Sequence, residues 1–155
     1  QRDGHWPILV GHSLGAPIVL QVAAEHPDKV GGIVILAGSV DPSLEKMRWF
    51  NAAGALFSPV LSRDWRNANK EVLAAKREEA ALAPLLANVT CPVIVLHGDK
   101  DELVPVENAS YIRTALSGSR AVEVEIIPGE NHFIPWTQEA KVRAAIERLR
   151  DTPSP

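Results

Sequence analysis

Four short apolar runs punctuate the chain: Ile8-Leu9-Val10, Ile33-Val34-Ile35-Leu36, Val93-Ile94-Val95-Leu96, and the stretch from Ala121 to Ile127. The first three are rich in β-branched residues and apolar on consecutive positions, which suits strands covered on both faces. The fourth alternates Val122, Val124 and Ile126 with Glu123 and Glu125, the period-two pattern of a half-exposed strand near a sheet edge. A helix-like stretch follows each run. Ile18 to Ala24 follows the first, and Pro105 opens a helix with Ala109, Ile112 and Leu116 inward and Gly118 as its stop. Thr137 is the expected cap of a last helix with Val142, Ile146 and Leu149 on one stripe, and residues 151–155 read as a frayed tail. Strands alternating with helices imply a mostly parallel sheet flanked by helices on both faces, an α/β architecture of about four strands.

The alternation breaks between Asp41 and Val89, where helices are expected with no strand. Asp41-Pro42 has the form of an N-cap followed by proline at the first helical position. Leu44, Met47, Phe50 and Phe57 then fall near one helical face, and Asn69 starts a helix carrying Val72, Leu73 and Leu82 that Pro84 interrupts. An excursion of this size, holding Trp49 and Trp65 as well, commonly forms a cap over the strand ends, where open α/β sheets place ligands. A packed helical layer without a ligand role is the alternative. The expected organisation is a core of residues 1–40 and 90–150 with a small helical, cap-like insertion at 41–89.

Composition narrows the partners. The chain has 155 residues, 46% hydrophobic and 23% charged, enough apolar material for one core and too much for wholesale disorder. A net charge of −3 argues against a nucleic-acid or anionic-membrane partner. Cys91 is the one cysteine, which excludes an internal disulfide. His5, His26 and His97 lack metal-ligand spacing, so neither a metal nor another cofactor is expected. No apolar run approaches the roughly 18–20 residues that span a bilayer. Asn88-Val89-Thr90 and Asn108-Ala109-Ser110 fit the glycosylation sequon, a triplet frequent by chance.

Gly11-His12-Ser13-Leu14-Gly15 matches the G-x-S-x-G pattern, and it sits between a predicted strand and a predicted helix, as the motif requires. A strand turning abruptly into a helix holds the serine in a strained conformation with its side chain projecting. Small residues two before and two after let neighbouring backbone pass close by. The same turn places the Leu14 N–H near a helix N-terminus, where it can receive a developing oxyanion. A serine nucleophile needs a base, and the base needs an orienting carboxylate. The loop after the third run, His97 to Pro105, offers Asp99 and Asp101; the loop after the fourth, Pro128 to Phe133, offers His132. Loops at the same ends of successive parallel strands converge, giving the order Ser, Asp, His.

With Ser13 in the elbow, Gly98 to Asp101 as a G-x-x-D acid loop and Gly129 to Phe133 as a G-x-x-H-F loop, the sequence resembles the α/β-hydrolases. The resemblance covers nearly the whole chain, each motif following its strand. It implies Ser13 as nucleophile, Asp101 as acid, His132 as base and the Leu14 N–H as one oxyanion donor. The family's spacing favours Asp101 over Asp99. Asp41 competes because some members place the acid one strand earlier, although its Asp-Pro context suits helix capping. His12 reads as supporting packing and, with Trp49, Phe50, Phe57 and Phe133, as a candidate pocket residue.

The implied activity is hydrolysis of an ester or similar small acyl compound through an acyl-enzyme. Acyl transfer or cofactor-free perhydrolysis on the same residues, and a non-catalytic ligand-binding module, are the alternatives. In the family the elbow strand is normally the fifth of eight. The chain therefore reads as the C-terminal half of such a fold, with the other half and the second oxyanion donor expected upstream. Its compartment is open, the cytoplasm being favoured.

Overall fold

The computed structural model describes residues 5–44 and 78–152. The four apolar runs form one parallel sheet of β1 (Ile8–His12), β2 (Gly32–Leu36), β3 (Val93–Gly98) and β4 (Val122–Ile127), side by side in chain order. Around them lie α1 (Gly15–Glu25), a 3-10 helix (Ala83–Asn88), α2 (Glu107–Ala115), the single turn α3 (Ile134–Thr137) and α4 (Glu139–Arg150).

Consecutive apolar positions on β2 and β3 sort by parity into two cores. Ile33 registers with Val93 and Ile35 with Val95, and these four pack with Leu20 of α1, Leu86, Ile112 of α2 and Leu116 at its C-cap. Val34, Leu36, Ile94 and Leu96 face the other way, onto Ile134, Ala145 and Leu149. Each fully buried Ile or Leu contributes about 1.5–3 kcal/mol, and both faces collect that contribution only when helices cover both. The result is a three-layer α/β/α arrangement.

The outer strands differ in instructive ways. β1 has one strand neighbour among the described residues, and Val10 remains 43% exposed, so this run is less covered than its composition suggests. At the other edge, Val122 and Val124 pack on the first core while Glu123 and Glu125 pair with Arg148 and Lys141 of α4. Exposed pairs of this kind contribute about 0–1 kcal/mol. The alternation in β4 thus records which face the strand buries.

Two expected helix boundaries, at Thr137 and Gly118, are revised. Thr137 does not cap α4: its hydroxyl donates to Glu130 Oε2 at 2.8 Å and to the Phe133 carbonyl at 3.2 Å, and Gln138 holds the cap position instead. α2 closes at Leu116 rather than at Gly118; a Cβ at Gly118 would stand 2.0 Å from the Ala87 carbonyl, so that glycine permits a close approach. Pro84 marks the change from the helical residues 78–82 to the 3-10 helix, where it occupies the first turn. Asp151 and Thr152 remain tied to α4 through Glu147 and Arg148 carbonyls. Trp49, Phe50, Phe57 and Trp65, the body of the expected cap, and residues 153–155 lie outside the described residues.

Candidate active site

Between β1 and α1 the backbone reverses at Ser13, whose φ is +54°. A non-glycine residue in this left-handed region costs about 1–2 kcal/mol. The end of β2, the loop after it and the first turn of α1 hold it there. The Ser13 N–H donates to the Leu36 carbonyl at 3.0 Å, and the Ser13 carbonyl accepts from Ala16 at 3.1 Å and Ser39 at 3.3 Å. A Cβ on Gly11 would lie 2.7 Å from the Gly15 carbonyl and from a Val19 methyl, so Gly11 allows the close approach that the sequence suggests. Gly15 does not share that role: a Cβ there meets no described atom within 4 Å. Leu14 is the N-cap residue of α1, at the end where leading N–H groups lack intrahelical partners and carry partial positive charge.

The acid and base loops emerge from the carboxyl ends of β3 and β4. His132 Nδ1–H donates to Asp101 Oδ2 at 2.8 Å, with the Asp101 side chain fully buried and that of His132 8% exposed. Asp101 Oδ1 accepts from the Leu103 and Val104 N–H groups at 2.9 and 2.8 Å, so both carboxylate oxygens are engaged. Asp99 has a different task. Its Oδ1 accepts from the Gly129 N–H at 2.7 Å, and Lys100 N–H donates to the Glu130 carbonyl at 2.8 Å, joining the two loops. Gly98 allows this contact, since a Cβ there would stand 2.3 Å from the Glu130 carbonyl oxygen.

Among the described residues the Ser13 hydroxyl makes no hydrogen bond to His132. His12 does reach the base loop, through Nε2 to the His132 carbonyl at 2.9 Å. Phe133 is half exposed and forms edge contacts with the His132 and Trp136 rings. Asp41 is occupied locally, its Oδ1 accepting from the Ser43 N–H and hydroxyl. The pocket candidates Trp49, Phe50 and Phe57 are not described.

Three further residues matter that the sequence did not single out for the site. His97, fully buried, has Nε2 at 3.1 Å from the Val104 carbonyl and 3.5 Å from Asp101 Oδ2, and its Nδ1 has no hydrogen-bond partner among the described residues. Burial holds its pKa below the ordinary histidine value, against the raising influence of the Val104 bond and Asp101. Asn108, buried at the start of α2, accepts from the Val40 and Asp41 N–H groups at 2.8 and 2.9 Å and donates to the Pro105 carbonyl. Its engaged amide is closed to glycosylation in the folded chain. Trp136 stands edge-on to His12, with ring centroids 5.6 Å apart. A histidine before Gly98 and a sequon asparagine were the available signals, and neither reveals its partners.

Other chemistry is sparse here. Among the described residues no group of three His, Cys, Asp or Glu side chains is arranged to hold a metal ion, and no helix is long and apolar enough to cross a membrane. Burial pushes the Cys91 thiol up to about 11, which keeps it protonated at neutral pH.

Several known proteins are similar to this chain in sequence or fold. The monoacylglycerol lipase of Mycolicibacterium smegmatis is 28% identical over 163 aligned positions, covering 87% of this chain and 58% of the lipase. The pimeloyl-[acyl-carrier protein] methyl ester esterase of Neisseria meningitidis is 27% identical over 177 positions, covering 90% and 55%. The chain thus spans somewhat more than half the length of these curated relatives. The crystal structure of Paleococcus ferrophilus monoacylglycerol lipase matches the fold with a TM-score of 0.68 at 22% identity, covering 94% of this chain and 68% of that one. A family model described as "Alpha/beta hydrolase family" aligns with residues 2–145, a span that takes in all four strands and the elbow, acid and base loops, and the chain therefore belongs to the α/β-hydrolase family.

Proposed function

We propose that the chain carries the nucleophile, acid and base of a serine hydrolase that cleaves a carboxylic ester of a small molecule. The observation that carries the reading is the 2.8 Å bond from His132 Nδ1 to Asp101 Oδ2. A carboxylate only accepts, so the imidazole proton resides on Nδ1 and Nε2 presents its lone pair. Ser13 attacks the ester carbonyl as His132 Nε2 takes its proton, and the Leu14 N–H receives charge on the carbonyl oxygen. The imidazolium returns its proton to the departing alkoxide. Water, activated by the same nitrogen, then releases the acid from Ser13. Relatives named as a lipase and a methyl ester esterase support an ester substrate.

The test is fluorophosphonate labelling with turnover of p-nitrophenyl esters. Wild type should label at Ser13, and Ser13→Ala should lose labelling and at least about 10⁴-fold in kcat. Undiminished turnover by Ser13→Ala would overturn the reading.

A further inference from the structure

We propose that His12, the residue before the candidate nucleophile, is a positioning residue that sets where His132 stands relative to Ser13. The inference rests on the hydrolase reading above and adds a residue to it.

A general base works only within hydrogen-bond reach of the proton it takes, and loops hold such distances less firmly than strands. His132 sits in the loop between β4 and α3. Its ring is fixed at Nδ1 by Asp101, and its loop is tied on one side through Gly129 and Glu130 to the Asp99–Lys100 turn and on the other through the Phe133 carbonyl to Trp136 and Thr137. The hold on the His132 main chain itself comes from His12, whose Nε2–H donates to the His132 carbonyl at 2.9 Å. A carbonyl only accepts, so His12 carries its proton on Nε2. The two rings also touch, with centroids 4.8 Å apart at 45°, and Trp136 meets the His12 ring edge-on with centroids 5.6 Å apart.

His12 ends β1 and is covalently adjacent to Ser13. The chain from Ser13 through the His12 side chain to the His132 backbone therefore spans nucleophile and base with one hydrogen bond. Asp101 orients the ring; His12 fixes the height at which it is held. Misplacement of reacting groups by about 1 Å costs as much as 10²-fold in rate, so a bond that binds no substrate still bears on turnover.

Two substitutions separate positioning from packing. His12→Phe keeps an aromatic ring in contact with His132 and Trp136 but removes the donor; His12→Gln restores an N–H of similar reach. His12→Leu is a second donor-less variant of smaller bulk. Each is made in the protein beside Ser13→Ala and measured for kcat and KM on a p-nitrophenyl ester, for the fluorophosphonate labelling rate, and for Tm. His12→Phe and His12→Leu should lower kcat by roughly ten- to a hundredfold, with KM within about twofold, and should slow labelling by the same factor. His12→Gln should recover most of both. Wild-type kcat in the donor-less variants, or an equal loss in His12→Gln, would overturn the proposal, as would activity that only follows Tm. Full activity in Ser13→Ala would instead remove the hydrolase reading itself.

Discussion

Asp101 and His132 are 31 positions apart and meet at 2.8 Å, while Asp99, two residues before Asp101, binds the Gly129 main chain instead. One short turn thus splits its two carboxylates between orienting an imidazole and tying two loops together. Asp101→Asn should lower kcat by about 10³–10⁴, because an amide can donate to Nδ1 and favour the wrong tautomer. Asp99→Asn keeps an oxygen for Gly129 and should stay within a few-fold of wild type. Steady-state kinetics on both variants gives the answer, and the reverse ranking would move the acid to Asp99.

His97 makes stability depend on pH. Burial depresses its pKa in the folded chain, with the Val104 carbonyl and Asp101 only partly offsetting it. In the unfolded chain it takes a proton near pH 6.5. Between that value and its lower folded value the unfolded state binds more protons, so stability rises with pH. The contribution is complete above about pH 6.5 and is lost as pH falls through the unfolded pKa toward the folded one. His97→Gln retains an N–H for Val104 without titrating. Its Tm should fall less steeply than wild type between about pH 7 and pH 5, read by calorimetry across a buffer series; parallel curves would exclude the effect.

Gly98 is a point of close approach between the loops after β3 and β4. An alanine methyl would lie 2.3 Å from the Glu130 carbonyl oxygen and 2.8 Å from that of Asn131, both main-chain atoms. Relief requires the loops to separate, at a cost of about 1–3 kcal/mol. Gly98→Ala should therefore lower the urea midpoint and weaken turnover together, because Glu130 and Asn131, the residues pushed away, lead directly into His132. A variant with an unchanged midpoint would show that the loops part freely.

The sheet and the placement of the three loops that carry the candidate site were legible because each follows from local pattern: continuous apolar runs, an alternating edge strand, and glycine-marked turns at strand ends. What escaped depends on groups distant in sequence. Thr137 and Gln138 both precede α4, and Glu130 takes the threonine hydroxyl from the cap position. Asn108 looks like a sequon until the loop after β2 returns to claim its side chain. His97 acquires its meaning only when Val104 and Asp101 fold back over it. Even within the elbow, the symmetry of the two glycines is broken by the path of the chain, with Gly11 crowded and Gly15 open among the described residues.

The positive φ at Ser13 also limits which hydroxyl, thiol or carboxyl can stand at the elbow. Threonine offers the same oxygen, yet its second branch at Cβ makes the left-handed conformation a genuine outlier. Aspartate is several-fold enriched in that region, and cysteine is unbranched. By backbone alone, a change of chemical class at this position is easier than replacement by serine's nearest relative.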